Sequence, residues 1–177
     1  MSEHRFLNSA EINALQHWHH WLDDNRGDRA RLRRSERQED ILLTDSFFHF
    51  LQRMPKSWRE KKPMLTSAAV AGLLAHVKEN RTSGRFAQQL ATPAQGKKPP
   101  MSELRFQQMQ KSRSTDDFYR HVLRAIRLLD GKVNIPSLAN DIIHWHWEFE
   151  KQADREPAKR LAVRWATDYF TTLEKNK

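Results

Sequence analysis

Residues 115–130, TDDFYRHVLRAIRLLD, decide the fold class. Turned by about 100° per residue, Phe118, Val122, Ala125 and Leu129 gather on one side. Arg120, Arg124 and Arg127 fall in a stripe about 60° wide on the opposite side. Asp116 and Asp117 stand in the first turn, where the helix dipole favours acids. This is the pattern of an amphipathic helix with an apolar face to bury and a cationic face left over. No stretch of the chain shows the sustained alternation of Val, Ile and Thr with polar residues that a half-buried strand requires. The expected class is all-α.

Downstream, Gly131 ends this helix, and Asn134-Ile135-Pro136 introduces another over 136–150. Further helices are expected at 102–112 and 157–174, and four helices with short connectors suggest a C-terminal bundle over 102–177. Upstream, Gly84, Pro93, Gly96, Pro99 and Pro100 punctuate residues 79–101 around one apolar piece, Phe86 to Ala91. A linker is placed at 93–101, which makes 1–92 an N-terminal helical lobe. In that lobe a helix is predicted from Ser9 to Asp24, opened by an Asn8/Glu11 capping box and closed by Gly27, with Ile12, Leu15, Trp18 and Leu22 on one side. A short basic turn or helix follows at Asp28 to Arg34, then a polar stretch to Asp40. A helix from Thr44 to Met54 contributes Phe47, Phe48, Phe50 and Leu51 to the core, and Pro55 stops it. Pro63 opens a helix through Val77.

Composition narrows the function classes. The 177 residues contain no Cys, 5 Gly and 7 Pro, with 38% hydrophobic and 30% charged residues, which excludes collagen-like, disulfide-stapled and wholly disordered chains. Without Cys there is no thiolate metal site and no Cys nucleophile. The start, Met1-Ser-Glu-His-Arg-Phe-Leu, lacks an apolar h-region, and no run approaches the roughly 18 apolar residues of a membrane span. The expectation is a cytoplasmic protein in a reducing compartment.

The net charge of +9 is uneven: residues 26–37 and 53–62 carry +4 each, 81–132 carry +7, and 133–177 carry none. Localised basic blocks point to a polyanion footprint, most commonly nucleic acid. A solvated face with i,i+4 pairs explains Arg120, through Asp116, but Arg124 and Arg127 have no acid at i−4. Arg105, Lys111 and Arg113 lead into the same helix. In the first block Arg26, Arg29 and Arg33 share a stripe with Arg34 beside it, although Asp28, Glu36, Glu39 and Asp40 are near enough to neutralise several of these cations. His144 with Glu148 is the best of the weak metal-ligand pairs, but no zincin pattern, Walker A loop, nucleophile elbow or paired glycosidase carboxylate occurs. No cofactor, metal site or enzyme activity is expected. Trp18, Trp145 and Trp165 lie on apolar helical faces and read as core.

Taken in order, several blocks resemble the CasB-type small subunit of the type I-E CRISPR surveillance complex, Cascade. They are Trp18 followed by Gly27-Asp-Arg-Ala-Arg-Leu-Arg-Arg34, Phe86 leading to Leu90-Ala91, Glu103-Leu-Arg105-Phe, Leu123-Arg124, Leu138-Ala-Asn-Asp141 with Trp145, and Arg164-Trp-Ala-Thr-Asp-Tyr169. The resemblance implies a non-enzymatic subunit of an RNA-guided antiviral complex, present as a pair packed end to end inside a crescent of backbone subunits. Its implied partners are guide RNA, target DNA, the backbone and large subunits and a second copy of itself, and its implied task is to stabilise the R-loop and displaced strand. Arg33, Arg34, Arg105, Lys111 and Arg124 fall on basic positions of the family pattern, while Arg113 and Arg127 rest on the stripe. The Pro93 to Pro100 segment and residues 35–62 depart from the pattern. The competing readings are a free-standing helical transcription regulator on duplex DNA, which sequence-specific footprinting would reveal, and a disfavoured hydrolase using His144 and Glu148.

Overall fold

The stretch Met64-Leu-Thr-Ser-Ala-Ala-Val-Ala-Gly-Leu-Leu74 contains no charged residue, and a helix with no polar face has nothing to offer water. In the computed structural model, which describes residues 4–96 and 98–177, that helix is the hub of the fold. Met1–Glu3 and Lys97, part of the N-terminal stretch and of the 93–101 linker read above, lie outside the described residues. In chain order come α1 (Ser9–Trp21), α2 (Arg26–Arg34), α3 (Gln38–Ile41), α4 (Asp45–Arg53), α5 (Ser57–Glu60) and α6 (Met64–Leu74). Then follow β1 (Glu79–Asn80), α7 (Phe86–Ala91), α8 (Glu103–Gln110), α9 (Thr115–Leu128), β2 (Lys132–Val133), α10 (Ile135–Glu150) and α11 (Leu161–Lys175), the last preceded by a 3₁₀ turn at Pro157–Lys159. The protein is all-α apart from one short parallel bridge, Glu79 to Lys132 and Asn80 to Val133.

Every residue of α6 from Thr66 to Leu74 is buried, and the helix touches α2, α3, α4, α5, α9 and α10. Packing runs across the Pro93–Pro100 segment, because α7 lies along α11 and α10 along α6. Polar caps set the helix starts. Asn8 and Glu11 form the capping box on α1, and Thr44, Ser102, Ser114 and Asn134 cap α4, α8, α9 and α10. At the far end of α9, Asp130 and Gly131 both take left-handed backbone, at φ 54° and 73°. The Gly131 carbonyl then accepts from Lys78 N–H at 2.8 Å, tying α9 to the end of α6.

Four local expectations need correcting. The first helix stops at Trp21, because the Asn25 side chain donates to the Trp21 carbonyl (2.9 Å) while the Asn25 carbonyl accepts from Asp28 N–H (3.1 Å) to begin α2. Gly27 therefore sits inside α2 and ends nothing. Phe48 is 56% exposed, since Phe47, Phe50 and Leu51 already fill the inward face of α4. The polar stretch before Asp40 becomes α3, whose Gln38 is buried with its side-chain oxygen 3.3 Å from His146 Nε2.

Gly72 allows the tightest approach in the hub. A Cβ built there would overlap Ile41 Cδ1 of α3 and Tyr119 Oη of α9. Gly72→Ala is expected to destabilise the protein by about 1–3 kcal/mol, because overpacking outweighs the gain of roughly 1 kcal/mol in helix propensity. Urea unfolding of both proteins measures this.

Candidate nucleic-acid interface

The basic block of α2 separates into held and free arginines. Leu32 and Asp28 face inward, and Asp28 accepts from Arg31 at 2.7 Å and lies 2.8 Å from His49 Nδ1. Arg29 reaches back to Asp23 at 3.1 Å, and Arg31 also meets Asp45 at 3.1 Å. Arg33 and Arg34, at the end of the helix, are exposed. On α9 the inward face comprises Phe118, Tyr119, Val122, Ala125 and Ile126, and Arg120, Arg124 and Arg127 point to solvent. Arg120 pairs with Asp117 (3.2 Å) rather than with Asp116, because Asp116 is engaged by Arg37 at 3.3 Å. Arg105 is on α8, Lys111 caps its C-terminus, and Arg113 lies in the turn into α9; all are exposed.

Among the described residues, none of Arg33, Arg34, Arg105, Lys111, Arg113, Arg124 and Arg127 forms an ion pair. A guanidinium without a carboxylate keeps its whole fork for a ligand oxygen.

Two of the seven converge. His76 follows the C-terminal end of α6, and its imidazole pKa is pushed down to about 4, first by burial and then by the positive fields of Arg33 and Arg127. Its Nε2 is buried without a hydrogen-bond partner. Arg33 of α2 and Arg127 of α9, far apart in sequence, therefore both act on one neutral histidine. Arg124 shares the exposed stripe of α9 with Arg127, and on the same helix the His121 pKa is lowered by burial and by Arg124 and Arg120, against the opposing field of Asp117. No shared partner links Arg105, Lys111 or Arg113 to His76. His76 has no local sequence signature, because its charged neighbours come from two distant helices.

The remaining sequence candidates have structural roles. His144 Nδ1 accepts from Arg164 at 2.9 Å and its Nε2 lies 2.7 Å from Glu148 Oε1, the oxygen that also accepts from Leu161 N–H at 2.9 Å to start α11. Burial and Arg164 push the His144 pKa down to about 3. Trp18 and Trp165 are buried, and Trp145 stacks on Phe118 with ring centroids 4.3 Å apart. Buried Asp141 accepts from Trp165 Nε1 (2.8 Å) and Arg164 (3.1 Å), and Arg85 grips Asp168 through two bonds of 2.9 and 2.7 Å. Tyr169 stacks on Phe106 at 4.0 Å and donates to the Met101 carbonyl at 2.6 Å.

The convergence on His76 has a direct spectroscopic consequence. Its ring resonances are expected to titrate near pH 4. That midpoint should rise in Arg33→Ala and in Arg127→Ala and stay put in Arg105→Ala, as NMR of the histidine rings can follow.

A family model described as the CRISPR-associated protein Cse2 matches residues 28–170, from inside α2 to near the end of α11. No curated protein and no solved structure gives a significant match. Because the family match spans most of the chain and includes both basic helices, the chain belongs to the Cse2 family, the small subunits of the type I-E CRISPR Cascade complex.

Proposed function

We propose that this chain is a non-catalytic Cascade subunit that holds nucleic acid by its phosphate backbone, stabilising the R-loop of guide RNA and target DNA and the displaced strand. One observation carries the reading: Arg33 and Arg127, both exposed and without an ion pair among the described residues, stand on helices that both pack against α6, and the charges of both are felt at His76 just beyond it. A guide complex delegates sequence reading to base pairing, so its protein needs charge and shape rather than base-edge recognition. Guanidinium forks supply that charge, and release of condensed counterions supplies the free energy. Arg34 and Arg124 extend the surface, and Arg105, Lys111 and Arg113 add contacts from α8 and the turn into α9. The reading brings with it a cytoplasmic setting and, as partners, the backbone and large subunits and a second copy of the chain. Among the described residues no helix is long and apolar enough to cross a membrane.

Binding by the isolated chain is expected to ignore base sequence and to weaken steeply with salt. Each phosphate contact removed should flatten the slope of log affinity against log salt by about 0.7–0.9. Arg33→Ala/Arg127→Ala should therefore lose up to about two such units while unfolding stability stays within about 0.5 kcal/mol of the parent. Fluorescence anisotropy across ionic strengths, with urea unfolding alongside, tests both statements. An unchanged slope in the double variant, or a scrambled sequence bound more than about a hundredfold more weakly, would overturn the phosphate mechanism.

In the assembled complex the same double variant should still incorporate but shorten R-loop lifetime and leave the displaced strand more open to chemical probing. Unaltered lifetime and probing would move the phosphate track elsewhere on the subunit.

A further inference from the structure

A second basic surface is built differently. Where the N-terminal segment, the α5–α6 loop and α10 meet, they enclose a cleft of about 390 Å³. Phe6, Ile143 and Trp147 supply its apolar wall, and Lys61, Lys62 and Lys151 surround it, with Glu150 as the one acid among its lining residues. The volume lies within the roughly 300–1,000 Å³ of small-ligand pockets. The Phe6 and Trp147 rings stand 5.8 Å apart at 49°, and the Arg5 guanidinium lies 5.1 Å from the first and 5.4 Å from the second. Arg5 is itself held by Asp154 at 3.4 Å.

Lys62 is the informative cation. Its ammonium sits 4.7 Å over the Trp58 ring, and it forms no ion pair among the described residues. The nearby Glu11 carboxylate is engaged by Trp58 Nε1 at 2.8 Å and by Asn8 N–H at 3.0 Å. Burial lowers the Lys62 pKa, against the opposing field of Glu11. A partly desolvated cation without a direct ion-pair partner gains when an anion arrives beside it.

We infer that this cleft takes one nucleotide of a single-stranded nucleic acid, its base against Trp147 and Phe6 and its phosphates on Lys61, Lys62 and Lys151. The pairing of aromatic wall and cationic rim is what single-strand binders use, and each stacked base adds affinity with little regard to sequence. A duplex keeps its base faces stacked on one another, so it offers the cleft only phosphate. The arginine surface around His76 is read through charge, and the cleft through an unpaired base. The inference rests on the reading of this chain as a nucleic-acid-holding subunit and adds a site for the unpaired strand.

The test compares the full chain on an oligodeoxythymidylate and on an abasic chain of the same length, which carries the same phosphates without bases. The parent should bind the oligothymidylate roughly tenfold more tightly than the abasic chain. Trp147→Ala should bring that ratio close to one. Ser57→Trp, which fills the cleft from an exposed lining position, should do the same even if Trp147→Ala does not fold. A ratio near one in the parent, or a ratio unchanged in a folded Trp147→Ala or Ser57→Trp protein, overturns the inference. Arg33→Ala/Arg127→Ala should weaken both chains equally and preserve the ratio. If that variant weakens neither, the phosphate mechanism fails, whereas the ratio in the parent still decides the cleft.

Discussion

The meeting of three helices at the hub depends on the side chain that Gly72 lacks. Because α6 carries hydrogen at that point, Ile41 of α3 and Tyr119 of α9 both close onto its axis. The Tyr119 phenol is buried there, which pushes its pKa upward and keeps it neutral. From this crossing the geometry of the cationic surface follows. α9 is fixed with Arg124 and Arg127 outward, and α3 follows the Arg33–Arg34 end of α2. Past α6, His76 feels the charges of both helices. A core helix without polar faces thus acts as the ruler between two basic elements remote in sequence.

Charge is divided by partner rather than by sequence block. Arg29, Arg31, Arg37, Arg85, Arg120 and Arg164 each meet a carboxylate, several of them on another helix, and so hold elements together. Arg33 and Arg34 of α2 and Arg124 and Arg127 of α9 meet none among the described residues. An exposed pair contributes little to stability, so the free arginines can be altered without unfolding the chain. Arg164 beside buried Asp141 differs, because removing it leaves a buried carboxylate without its cation.

The blocks through which the chain resembles its family are mainly anchors. Asp141, Arg164, Trp165, Asp168 and Tyr169 bind one another's helices or the Arg85 and Met101 segments, and none of them belongs to the cationic surface. They fix α7, α8, α10 and α11 into one frame. The Trp147 cleft lies outside this frame's buried contacts, where Lys61 and Lys62 of the α5–α6 loop meet α10.

Helix class and register were legible in residues 115–130 and in the Asn8/Glu11 box, because periodicity and capping are local and act through hydrogen bonds within a few residues. The amphipathic face of α9 and the exposure of its arginines follow from the same periodicity. Helix ends were less legible where a side chain competed with glycine, as when Asn25 rather than Gly27 closed α1. The lack of an acid at i−4 marked Arg124 and Arg127 as free, but which acid serves which cation could not be read from neighbours in sequence: Asp116 stands one turn from Arg120 yet serves Arg37 from a distant segment. His76 and the Trp147 cleft were invisible for the same reason. Both are assembled from residues whose proximity is set by how α6 packs, and long-range electrostatics and shape have no one-dimensional signature.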